Sequence, residues 1–164
     1  MPGTYEPLAT NTLTTATATI TFSSISGSYT DLVLVVNAKS TSGGVDLSMR
    51  FNGDTASNYS KTNLYGDAAA ATSTRQSNQT QANLNLAGYV ATTFGTHQIA
   101  QIINYANATT YKTYLSRAGN ISVGVDAIVG TWRSTAAITT IALFVSGDTF
   151  ASGSTFTLYG IKAA

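Results

Sequence analysis

Thr15-Ala16-Thr17-Ala18-Thr19-Ile20-Thr21-Phe22 carries threonine at every odd position and an apolar residue at every even one. Side chains alternate between faces along a strand, so this octet predicts one wet face and one buried face. A helix would scatter the same residues around its circumference. The reading extends along the chain. Val45, Leu47, Met49 and Phe51 alternate with Asp46, Ser48, Arg50 and Asn52. Ile121, Val123, Val125 and Ala127, expected on the buried face, alternate with Ser122, Gly124 and Asp126. Phe156 and Leu158 alternate with Thr157 and Tyr159. Residues 31–38 and 138–145 are apolar at both parities, which predicts interior strands covered on both sides. Strands are also expected over 84–90, 97–105 and 111–116, with turns at Asn52-Gly53-Asp54 and at Asn107-Ala108-Thr109-Thr110.

Residues 66–85 combine an alanine run with Ser, Thr, Arg, Gln and Asn. They read as a long surface loop or strand-edge excursion, with a short helix at 67–72 as the competing reading. Roughly eight to ten strands result. The expected architecture is all-β: a single-domain antiparallel β-sandwich, jelly-roll-like. Both prolines, Pro2 and Pro7, lie in the first eleven residues. Residues 1–11 are therefore expected as an extended N-terminal arm, able to reach a neighbour, and 12–164 as the sandwich domain.

Composition narrows the function. Charged residues make up 9% of the chain, against about 25% in an average soluble domain. Eight Lys and Arg against seven Asp and Glu leave a net charge of +1, and the cations are scattered singly. That lacks the clustered positive charge of a nucleic-acid footprint. It also leaves little repulsion between copies, which favours a homo-oligomer. With no Cys, neither disulfides nor a thiolate is available. The N-terminus lacks the basic start and apolar run of a signal peptide. The longest apolar runs, 32–36 and 141–145, are too short to span a bilayer, so cytoplasmic synthesis without membrane insertion is expected.

No reaction chemistry is evident. His97 is the single histidine and has no motif around it. No nucleophile elbow, P-loop, dinucleotide fingerprint or zinc-protease motif occurs. The acids Glu6, Asp31, Asp46, Asp54, Asp67, Asp126 and Asp148 are isolated. Asp31, Asp54, Asp67 and Asp148 sit beside turn residues, where aspartate caps backbone N–H groups. Asp46, Asn52 and Asp54 could offer oxygens to Ca²⁺, but their spacing matches no calcium loop and a turn needs the same residue types. No catalytic residue, cofactor or metal is therefore expected. Tyr105, Tyr111, Tyr114 and Trp132 are the candidates for an interface or a glycan contact, with packing or subunit contact preferred over ligand stacking.

Three segments stand out together: Phe22-Ser23-Ser24-Ile25-Ser26-Gly27-Ser28-Tyr29-Thr30-Asp31-Leu32; Arg50-Phe51-Asn52-Gly53-Asp54 with Asn58-Tyr59-Ser60; and Phe156-Thr157-Leu158-Tyr159-Gly160-Ile161-Lys162. Their order over nearly the whole chain resembles a family of small β-sandwich virion proteins of tailed bacteriophages, cyanophages in particular. Members of that family are free-standing or form the terminal module of a fibre. The resemblance implies a non-enzymatic structural protein of the virion, made in the host cytoplasm. With the domain starting close to Met1, the free-standing form is expected, and with it a capsid decoration or cement protein. The alternative is a tail-fibre or appendage protein that binds host-surface glycan. Partners would be the major capsid protein or fibre and tail proteins. Within these segments, residues 26–30 are expected to turn into the strand starting at Asp31, Arg50 to pair with an acid, and Leu158 and Ile161 to anchor the C-terminus, leaving 162–164 loose.

Overall fold

A computed structural model of the chain describes residues 4–85, 90–93, 95–120 and 124–162. Among these, twelve strands and no helix are found. They are β1 (Tyr5–Thr12), β2 (Thr19–Phe22), β3 (Asp31–Ala38), β4 (Leu47–Phe51), β5 (Tyr59–Gly66), β6 (Ala71–Gln79), β7 (Ala82–Asn83), β8 (Thr96–Ile103), β9 (Lys112–Asn120), β10 (Gly124–Trp132), β11 (Ile141–Val145) and β12 (Thr155–Ile161). All pairings are antiparallel. The eight-stranded sheet has the order β1-β12-β3-β8-β9-β10-β5-β6, and the four-stranded sheet has the order β2-β11-β4-β7.

The topology is that of an extended jelly roll. Without β5, β6, β9 and β10, the chain pairs its first strand with its last, its second with its second-last, and so inward to β4 with β7. That is a long hairpin rolled into two sheets, the arrangement of a double Greek key. The other four strands widen one sheet only. Strands also form where none was expected: β1 in the segment expected as an arm, β6 and β7 in the segment expected as a loop, and β5 just before it.

The segment expected as an arm lies mostly within the sheet. Tyr5–Thr12 pairs with β12 of its own chain, with a register shift between Pro7 and Ala9. Proline lacks a ladder donor, and an edge strand with an irregularity tolerates that. At 67–72 no helix forms. Asp67 instead accepts the N–H groups of Ala69 and Ala70, both at 2.8 Å, and turns the chain into edge strand β6.

The two sheets enclose one core containing Phe22, Leu34, Met49, Phe51, Ile102, Ile128, Leu143, Phe150 and Phe156. Phe150 and Phe156 meet edge-to-face at 4.8 Å between centroids. The opening octet splits. Ile20 and Phe22 are buried, whereas Ala16 and Ala18 are exposed and Thr17 makes only a bridge to Phe150. Alanine offers too little apolar area to hold a strand against the core. Residues 31–38 and 138–145 are not covered on both sides: Val35 and Asn37 are exposed in β3, and Ala142 and Phe144 half-exposed in β11. Among the described residues no third layer packs outside either sheet, so both strands are interior within their sheet but open on one face.

In β10 the expected faces are reversed. Asp126, Ile128, Gly130 and Trp132 point inward, while Val125 is 63% exposed. Ile121 and Val123 lie outside the described residues, as do residues 86–89 of the expected strand 84–90. Trp132 and Ile128 bury far more area than Ala127 and Val125 could, so they set the parity.

Candidate functional site

The four aromatic candidates separate. Tyr105, Tyr114 and Trp132 are at most 1% exposed, and only Tyr111, at 58%, faces solvent. The three buried rings therefore cannot stack on a glycan or meet another subunit. All three pack in the core.

Trp132 instead locks the corner where the chain crosses between the sheets. Asn52 and Gly53 both have positive φ, at 51° and 69°, and Asp54 N–H donates to Phe51 O at 2.9 Å. This tight turn takes the chain out of β4 in the small sheet and toward β5 in the large one. Asparagine and glycine tolerate that backbone far better than other residues. The Asn52 side chain donates to Ala137 O and accepts from Thr139 N and Thr140 N, tying the corner to the approach to β11. Asp54 accepts from Trp132 Nε1 at 2.6 Å, Asn58 Nδ2 at 2.9 Å and Ala56 N at 2.8 Å. Burial pushes the Asp54 carboxyl up, but the donors Asn58, Trp132 and Ala56 outweigh it and hold the group below its usual range. Phe51, Tyr59 and Trp132 pack with centroids 5.4–6.4 Å apart around this point.

The other quoted segments also meet. Tyr29 lies on Gly160, where an added Cβ would fall 2.4 Å from the ring. Lys162 sits 5.3 Å above the same ring and pairs with Glu6 at 3.2 Å. Lys162, expected to be loose, is therefore tied to β1, while 163–164 lie outside the described residues. Tyr105 donates to Ser26 O, fixing the turn before β3. Leu158 is buried, and Ile161 is half-buried. Arg50 pairs with no acid. It donates to Thr80 O and Gln81 Oε1 and covers the Phe144 ring at 4.5 Å.

The four aspartates expected as caps all bond backbone N–H groups. Asp31 takes Asn104 N, Asp54 takes Ala56 N, Asp67 takes Ala69 N and Ala70 N, and Asp148 takes Ser42 N and Thr149 N. The hydroxyl of Thr41, with these N–H groups, holds Asp148 well below the usual carboxylate range. Asn52 and Asp54 are thus committed to backbone and side-chain donors rather than set out as metal ligands. Among the described residues, no three His, Cys, Asp or Glu side chains gather as a metal set. His97 is exposed on the outer face of β8.

Two surface features stand out among the described residues. One is an open depression of about 730 Å³ over the small sheet, with Arg50, Gln81, Phe144 and Asp148 in its lining. The other is the outer face of the large sheet, where Val35, Leu64, Ile99, Ile103, Val125 and Val129 are 37–63% exposed. Alternation alone does not reveal this face, because it assigns apolar residues at alternate positions to the core. The usable signal is that β8 and β10 are apolar at both parities, which one buried face cannot absorb.

No family model matches the chain, and no curated protein matches it. Among solved structures, a Shewanella oneidensis protein of unknown function aligns at 9% identity over 99% of this chain and 77% of the other, with a TM-score of 0.22. That score carries no inference about fold or role.

Proposed function

We propose that this protein is a non-enzymatic structural component of a tailed-bacteriophage particle, a decoration or cement module on the capsid surface. The observation that supports this reading best is the outer face of the large sheet. Eight strands at ~4.8 Å spacing make a face ~34 Å across, and Val35, Leu64, Ile99, Ile103, Val125 and Val129 are exposed on it, beside Arg117 and His97. Contiguous exposed apolar surface marks contact with another macromolecule. Burying such a face against capsid subunits would supply adhesion with little charge to desolvate. The capping roles of Asp31, Asp54, Asp67 and Asp148 fit a chain whose acids serve its own backbone.

The test is the copy number of this chain per major capsid subunit, measured by quantitative mass spectrometry of purified particles. Hundreds of copies are expected, and Val125→Lys with Val129→Lys should abolish incorporation while leaving Tm nearly unchanged. A handful of copies would favour the alternative, a glycan-binding fibre or appendage protein. In that case the depression beside Arg50, Gln81 and Phe144 is the place to test for sugar. Absence from the particle would overturn both.

A further inference from the structure

The inner face of the large sheet carries a polar strip that the core does not explain. Lys61, Asn63 and Gln98 point into the sandwich and are 5%, 0% and 2% exposed. In register, Gln98 lies opposite Ala118, which lies opposite Asp126; Asn63 lies opposite Ile128 and Lys61 opposite Gly130. Gln98 and Asp126 are thus two strands apart, ~10 Å, with only the small Ala118 side chain between them. From the other sheet, Asp46 precedes β4, and its carboxyl responds to both Lys61 and Asp126. Leu84 and Asn85, just after β7, link the two sheets beside this strip. Ser116 Oγ donates to Leu84 O at 2.7 Å, and Leu47 N donates to Asn85 Oδ1 at 2.7 Å.

Six shielded atoms here have no hydrogen-bonding partner within the protein: Asp46 Oδ1, Lys61 Nζ, both amide atoms of Asn63 and both of Gln98. Lys112 makes the contrast. It is equally buried on β9, yet its ammonium donates to Thr110 O and Thr135 O. Buried polar groups left unmade are costly, so such a group normally has a partner.

We propose that the sandwich encloses a hydrated chamber in which ordered water bridges Asp46, Lys61, Asn63 and Gln98. The chemistry of the six atoms selects the occupant. Three accept and three donate. A metal cation would serve the acceptors alone and would face the Lys61 ammonium. An anion would serve the donors alone and would face Asp46. Water does both, and each buried molecule typically makes about three such bonds. The near-complete enclosure of Lys61, Asn63 and Gln98 excludes larger solutes. Lys61 and Asp46 therefore interact through water rather than by direct contact. The charge balance agrees. Burial, partly countered by Lys61 and reinforced by Asp126, pushes Asp46 up to about 6, whereas a direct ion pair would hold it down. Burial likewise lowers Lys61, against the pull of Asp46 and Asp126.

The decisive experiment is a crystal structure at about 1.5 Å, grown at pH 7.5, with Asp46→Asn followed by thermal unfolding across pH. Water within hydrogen-bond distance of at least two of Lys61 Nζ, the Asn63 amide and the Gln98 amide is the expected result. A dry contact between Lys61 and either carboxylate, or a bound cation, overturns the proposal. Asp46→Asn should melt above the wild type at pH 7.5 and converge with it toward pH 4. A variant that melts no higher at pH 7.5 would mean that ionised Asp46 is paired directly, which also overturns it.

Discussion

Gly130 and Trp132 illustrate how single residues are constrained by what lies across the sheet. A Cβ on Gly130 would sit 2.1 Å from Tyr114 Cζ, and Tyr114 is buried with its hydroxyl directed at Asn83 O. The ring therefore has nowhere to move. Gly130→Ala should destabilise the protein by more than about 3 kcal/mol, read as a fall in the urea midpoint. Combining it with Tyr114→Leu should recover part of the loss, since the leucine withdraws the clashing atoms. At this scale the Asn52-Gly53 turn was legible, because its backbone requirement is local. The burial of Trp132 was not, because it depends on Asp54 approaching from the turn after β4 to satisfy the indole N–H.

Among the elements, protection should follow depth in the sheet. β3 lies between β12 and β8, with Leu32, Leu34, Val36 and Ala38 in the core. β6 is an edge strand whose first eight residues are all exposed. In native-state hydrogen exchange, amides of β3 should exchange only through global unfolding, while those of β6 exchange orders of magnitude faster through local opening. Equal protection in the two strands would contradict this packing. The polar composition of 71–79 is that of a blunted edge, since charged and hydroxyl side chains discourage pairing with other chains. That composition also hid the strand: without a core-facing apolar stripe there is no period to detect. β10 failed for the opposite reason. Both of its faces carry apolar residues, so alternation alone could not say which face turned inward.

For the whole molecule, acid stability should be set by carboxylates held below their ordinary range. Thr41, Ser42 and Thr149 donate to Asp148, and donors to Asp54 and Asp67 act in the same direction. A carboxylate with a depressed folded-state pKa contributes stability above its unfolded value of ~3.9 and loses it as pH falls through the folded value. Urea midpoints should therefore fall below about pH 4. Asp148→Asn should lower the midpoint at neutral pH and flatten the acid limb. Asp46 has the opposite sign: its raised pKa, about 6, makes stability decline as pH rises from its unfolded value to about 6. The two effects together place the optimum on the mildly acidic side of neutrality.

The all-β class, the corner at Asn52-Gly53 and the capping aspartates were determined by the sequence itself, because each rests on a residue's own backbone preference or on neighbours within a few positions. The three quoted segments meet other parts of the chain at the Trp132 corner and the Tyr29–Gly160 contact. Only the tertiary structure decided which face of β10 is buried, that Tyr105, Tyr114 and Trp132 are core, that the large sheet leaves aliphatic side chains exposed on its outer face, and that Lys61, Asn63 and Gln98 turn inward. These outcomes depend on which strands pair across long separations, and parity along a strand carries no information about the layer it will meet.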